Sequence, residues 1–365
     1  MNGIGQTMQK VAMGCVIASC GLLGSAYAAS EITVVSWGGS YTAAQKQAFY
    51  EPFTKTTGVT VRSQDYNGGL GEIRAQEQAG KVVWDVVVSD MYDVKRACDE
   101  GLIERIPLAS LGAAPDGTPA TKDFLAGTTS ECGIGSITLG NVIAYNTTKI
   151  AKAPTSLKDF FDTKNFPGKR GLRKSPIVAL EWALMADGVA PADVYATLST
   201  PVGLDRAFRK LDTIKKDIVW WEAGAQPLQL LASGDVAMTS AYSGRLFVSQ
   251  MQGSPYKAVW DGQVWSTDVW MIPKGAPHMK EALAYVKFVS EPARLAELAT
   301  LTSNGVVRHS ALPLIGKYPG TDVNVASHTP TYPDNLKTAL QINHDFWNDR
   351  QDEIQHRFDR WLLQN

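Results

Sequence analysis

Residues 264–277, VWSTDVWMIPKGAP, read as a buried strand that nonetheless carries an acid between two tryptophans. Side chains alternate along a strand, so Ser266, Asp268 and Trp270 share one face and Trp265, Thr267, Val269 and Met271 the other. An acid beside an indole can hold an amine: the carboxylate supplies charge, and the ring supplies a π face and apolar cover. The plainer reading makes Asp268 a strand acid bonded to backbone and Trp270 a core residue.

The flanking sequence supplies the fold. Glu31–Ser36 reads as a strand and Ser40 starts a helix to about Thr57, with Pro52 predicting a kink and Gly58 a stop. Val59–Ser63 is a strand, Gly69–Ala79 a helix, and Val83–Val88 (VWDVVV) a strand buried on both faces. Ser89 or Asp90 then caps a helix to Glu100. Ser136–Tyr145 is a long strand able to cross into a second domain. Ser175-Pro176 predicts a helix start, and Asp235–Ala241 a strand running into Tyr242-Ser243-Gly244-Arg245. The tail 334–363 reads as two helices. Strand and helix alternate, as in an α/β protein with a largely parallel sheet.

The 365 residues, 44% hydrophobic and 19% charged, suffice for two domains, and the net charge of -1 gives no case for nucleic acid. Lys10, the apolar run 11–23 and Ala26-Tyr27-Ala28 form a secretory signal peptide over residues 1–28; a lipoprotein box at Cys20 is the alternative. Export leaves Cys98 and Cys132, two cysteines in an oxidising compartment, which predicts a disulfide, with two buried free thiols as the alternative. The five histidines fall in no zinc spacing, and neither a G-x-S-x-G elbow nor a P-loop occurs. No metal or cofactor is expected. A secreted α/β hydrolase would need a site assembled from scattered residues.

Polar and aromatic residues recur where strands end: Trp37 and Tyr41, Asp90 and Tyr92, Tyr242 and Arg245, and the pair Asp268 and Trp270. In open α/β sheets these ends line the ligand crevice. The segments VVSWGGSY, DVVVSDMYDVKRACDEGLIERI, SGDVAMTSAYSG, WSTDVWMIPKGAP and YPDNLKTALQINHDFW, in this order, resemble the extracellular solute-binding proteins of ABC importers, and most of all the spermidine/putrescine-binding family. The resemblance covers most of the chain after the signal peptide. It implies a two-lobed periplasmic-binding-protein fold of type II. Residues 29–137 with 267–310 would form one lobe and 138–266 with 311–365 the other, closing on ligand. It implies a monomer in the periplasm that delivers a small solute to an inner-membrane permease without a chemical step. Trp37, Tyr92, Tyr242 and Asp268 stand at family positions; the acid matching Asp268 binds a ligand amine, and the aromatic matching Tyr242 covers the methylene chain.

The chain departs from that family at Leu172-Arg173-Lys174-Ser175-Pro176. There the polyamine-binding relatives place acids for the far amine; here stand Arg173 and Lys174 before a helix start, which makes an anion site. Arg245 can add a bidentate donor. Met91 also replaces an aromatic of those relatives. The expected solute is polyamine-like by resemblance, and a carboxylate or zwitterion by these residues.

Overall fold

The computed structural model describes Gly3 and residues 30–364; the expected signal peptide, with Cys15 and Cys20, lies outside the described residues. Nine strands form one mixed sheet. They are β1 (Glu31–Ser36), β2 (Thr60–Asp65), β3 (Val86–Asp90), β4 (Ile134–Asn146), β5 (Arg170–Arg173), β6 (Ile218–Trp221), β7 (Met238–Tyr242), β8 (Tyr256–Met271) and β9 (Leu340–Gln341). Their order is β2-β1-β3-β8-β4-β7-β5-β6, with β9 on β8. The blocks β2-β1-β3 and β7-β5-β6 are parallel, whereas β3-β8, β8-β4 and β4-β7 are antiparallel. Two parallel α/β blocks are therefore joined through two long antiparallel strands.

Those strands explain the stretch 264–277. β8 has 16 residues and β4 has 13, where strands of about 5–6 are usual. β8 is long because it passes from one hydrophobic core to another. On one face, Val264 packs with Ile143, Leu180 and Trp347, while Trp270 packs with Phe49, Val88 and Tyr285. Between them on that face stand Ser266 and Asp268, polar residues where neither core reaches. The β4 strand repeats the pattern, with Ile143 in the core of Val264, Ile137 in the core of Trp270 and half-buried Leu139 between.

Several elements differ from expectation. The first helix runs from Gly39 and contains a π-helical turn, Lys46–Tyr50, just before Pro52. Proline has no N–H to give the carbonyl four residues back, and a widened turn accommodates that loss without ending the helix. The helix expected from Ser175 instead begins at Ala179. The Ser175 hydroxyl caps only the Ile177 N–H, at 3.2 Å, and Val178 takes a left-handed φ of 72°. The tail forms a 3-10 turn, Pro333–Leu336, and a single helix, His344–Leu363, started by Asn343 accepting from the Phe346 N–H at 2.9 Å. The charge run Asn348–Glu353 stays helical because Asp352, Glu353 and Asp349 face outward while Trp347 and Ile354 are buried.

Cys98 and Cys132 form the expected disulfide, with Cα atoms 5.8 Å apart. No described helix is long and apolar enough to cross a membrane.

Candidate ligand cleft

The gap between the two cores is an open cavity. Its floor is the sheet face already described: Asp268 on β8 pairs with Ile137 on β4 and with Asp90 on β3. Trp37 and Tyr41, following β1, and Tyr66 and Asn67, following β2, line one side; Arg173 at the end of β5, Glu222 after β6, Tyr242 and Arg245 line the other. Parallel strands with their carboxyl ends at one edge deliver these residues together.

Trp37 stands over Asp268. Its indole Nε1 donates to Asp268 Oδ2 at 2.8 Å, and its ring stacks on Tyr66 with centroids 5.1 Å apart. Asp268 is only 3% exposed, and its Oδ1 has no partner in the protein. Asp90, opposite it, precedes the Met91–Asp99 helix but does not cap it; its Oδ2 instead accepts from the Tyr92 hydroxyl at 2.8 Å. Two carboxylates thus face one another in a largely dry site. Burial raises the pKa of Asp268 well above the carboxylate range, Asp90 raises it further, and the Trp37 hydrogen bond and Arg173 oppose the shift. Burial likewise raises Asp90 against the pull of Arg173, and burial with the Asp90 charge pushes nearby Asp93 up to about 7. An ammonium group between Asp90 and Asp268 would relieve all of these at once.

The cations differ from one another. Arg245 Nη2 donates to the Trp37 and Gly38 carbonyls, at 2.9 and 3.1 Å, and so ties the two sides of the cleft. That approach needs glycine at position 39, where a Cβ would lie 2.7 Å from the guanidinium and φ is +62°. Arg173 lines the cavity and has no carboxylate within 4 Å among the described residues. Its fork is available to a ligand.

Most of the residues expected at the site converge: Trp37, Tyr41, Asp90, Arg173, Tyr242, Arg245 and Asp268 all line the main cavity. Three do not. Trp270 shares the face of Asp268 but lies one step further along β8, fully buried against Phe49 and Tyr285. Lys174 points away from the cleft and pairs with Glu222 at the exposed rim, at 3.2 Å, because successive residues at a strand end point to opposite faces. Tyr92 lines a smaller adjoining chamber. Residues missed in the sequence include Tyr66 and Asn67, which follow a strand end and so carried the signal that flagged the others. Thr302 and Asn304, beyond the Pro292–Thr302 helix, carried none; packing against Gly244 brings them in.

Among the described residues, the cavity is lined by acids, arginines and aromatic rings. The sequence model of the bacterial extracellular solute-binding proteins matches residues 48–330. The gamma-aminobutyric acid-binding protein of Pseudomonas aeruginosa is 41% identical over 352 residues, covering 95% of this chain and 96% of its own. The spermidine/putrescine-binding periplasmic protein of Escherichia coli is 22% identical over 78% of this chain and 79% of its own. Among solved structures, a GABA receptor superposes with a TM-score of 0.77 at 29% identity, over 92% of this chain and 98% of its own. The architecture is that of the two-lobed periplasmic binding proteins.

Proposed function

We propose that this chain, which belongs to the bacterial extracellular solute-binding proteins, captures a small zwitterion whose amine and carboxylate sit at opposite ends, of the class of γ-aminobutyric acid, for an ABC importer. Proteins of this family bind solutes and hand them to a permease rather than transform them. The observation that carries the reading is the unpaired Arg173 facing the Asp90–Asp268 pair across one cavity. The amine goes to the two acids, under the Trp37 and Tyr242 rings. The carboxylate goes to Arg173, which replaces the acids that would hold the far amine of a polyamine. A diamine would place its second ammonium against the half-buried Arg173 guanidinium, and like charges set against one another there cost affinity. The names of the more similar relatives point the same way.

The lobes we assign are 29–137 with 267–310 and 138–266 with 311–365, a division that keeps the residues of each hydrophobic core together except Tyr92 and Ala311. The site we assign is Trp37, Tyr41, Asp90, Arg173, Tyr242, Arg245 and Asp268, in a periplasmic protein acting as a monomer. Calorimetry of the mature protein with 4-aminobutyrate, putrescine and succinate tests the ligand. Binding of 4-aminobutyrate alone, or far more tightly than the other two, is expected; binding of putrescine in its place would overturn the reading.

A further inference from the structure

The cleft has a second compartment. A smaller chamber adjoins the main cavity and shares four lining residues with it: Asp90, Leu139, Arg173 and Tyr242. Three observations give this chamber a chemistry. Ile177, Val178 and Ala179 line it, so the Ala179–Ala186 helix begins in its wall and turns its positive pole toward it. Val178, just before that helix, holds a φ of 72°; a β-branched residue takes that conformation at a cost and keeps it only where its surroundings enforce it. Ser240 on β7 and Ser266 on β8 also line the chamber. They are 2% and 1% exposed, and the hydroxyl of each lacks a hydrogen-bond partner in the protein. Buried hydroxyls in native proteins find partners, in protein, water or ligand.

The chamber therefore brings together the Arg173 guanidinium, a helix N-terminus and two uncommitted hydroxyl donors. Asp90 is its only acidic lining residue, and it stands in the wall shared with the main cavity. We propose that this chamber is the seat of the ligand's anionic end, with Ser240 and Ser266 as specificity-determining residues that donate to a carboxylate held by Arg173. This rests on the zwitterion reading and deepens it: the ligand spans both compartments, amine on the floor of the cleft and carboxylate past Arg173. Leu139 and Tyr242, common to both compartments, flank the methylene chain where it passes between them. The two serines would then read the carboxylate, whereas Asp90 and Asp268 read the amine.

The test compares 4-aminobutyrate with 4-aminobutanamide, which keeps the length and the amine but is neutral at the far end. Both are titrated by calorimetry into the wild-type mature protein, into Ser266→Ala, and into the Ser240→Ala/Ser266→Ala double variant. Hydrogen bonds to a charged group are worth at least about tenfold in affinity when lost. The double variant should therefore bind 4-aminobutyrate at least about tenfold more weakly and Ser266→Ala to a smaller degree, while affinity for the amide changes by less than about threefold. The melting temperature of each empty variant is recorded beside it; the lost hydroxyls hold no protein partner, so it should stay within about 2 °C of wild type. Equal losses for acid and amide, or no loss for either, would overturn the anion seat while leaving the zwitterion reading standing. Failure of the wild-type protein to bind 4-aminobutyrate would overturn that reading itself, and the seat with it.

Discussion

Binding of an ammonium group to the Asp90–Asp268 pair should release a proton. The perturbation is pH, together with Asp268→Asn. In the empty cleft the two acids lie opposite one another on β3 and β8, Asp268 Oδ1 has no partner, and burial and Asp90 hold the Asp268 pKa well above its ordinary value. The titratable groups lining the cavity with it are Asp90, Glu222, Tyr41, Tyr66 and Tyr242, with Arg173 and Arg245 its cations among the described residues. A ligand ammonium favours the ionised carboxylate and so lowers that pKa. The sign follows: below the empty-site pKa the protein must lose a proton to bind, so affinity rises with pH, by up to tenfold (about 1.4 kcal/mol) per unit. It levels off once pH exceeds the empty-site pKa. Calorimetry at pH 6 in two buffers of different ionisation enthalpy reads the proton count directly, and a net release of protons on binding is expected. Asp268→Asn should abolish the slope and weaken 4-aminobutyrate about 10- to 150-fold, the worth of a hydrogen bond to a charge. It should also stabilise the empty protein at neutral pH. A raised folded pKa means that stability falls as pH climbs from the unfolded value, about 3.9, through the folded one, and asparagine removes that burden. Heats independent of buffer, with a dissociation constant flat from pH 5 to 8, would refute the shared-proton argument.

Arg173→Ala should weaken 4-aminobutyrate by one to two decades and improve putrescine, since it removes the repulsion at the far end; titrations of both ligands decide it. Arg96 on the Met91–Asp99 helix forks onto Asp352 of the His344–Leu363 helix at 2.7 and 2.6 Å, beside the Lys95–Asp345 pair. Tyr92 apart, the two helices pack into different cores, so Arg96→Ala should favour the open form. Half-exposed pairs are worth about 0.2–1 kcal/mol, which predicts ligand release up to about fivefold faster in stopped-flow and little change at high salt. Cys98→Ser opens a loop of sequence separation 34 and should cost about 3–4 kcal/mol by chain entropy. Its melting temperature should fall by several degrees while ligand affinity holds, because the bridge lies outside the cavity lining.

What the sequence could and could not reveal follows from two rules, the placing of ligand crevices at strand ends and the alternation of side chains along a strand. The rule that residues after strand ends line the crevice found Trp37, Tyr41, Asp90, Tyr242 and Arg245 in the cavity wall, and applied to β2 it would also have found Tyr66 and Asn67. Alternation could have separated Arg173, which faces the cavity, from Lys174, which reaches the rim. Alternation failed at Trp270 for a different reason. Asp268 and Trp270 do share a face, but a period of two says which side a residue takes and not where along the strand a core stops. On β8 that limit decides function: Val264 and Trp270 close two cores, and the face between them is left to Ser266 and Asp268. A strand of 16 residues is nearly three times the usual length of about 5–6, long enough for a polar interval between two apolar ends. The acid at 268 lies in that interval, buried and with one oxygen unpaired, and under the proposed function a ligand ammonium balances its charge. Replacing it with a well-packed apolar residue would join the two cores into one and remove the cleft floor.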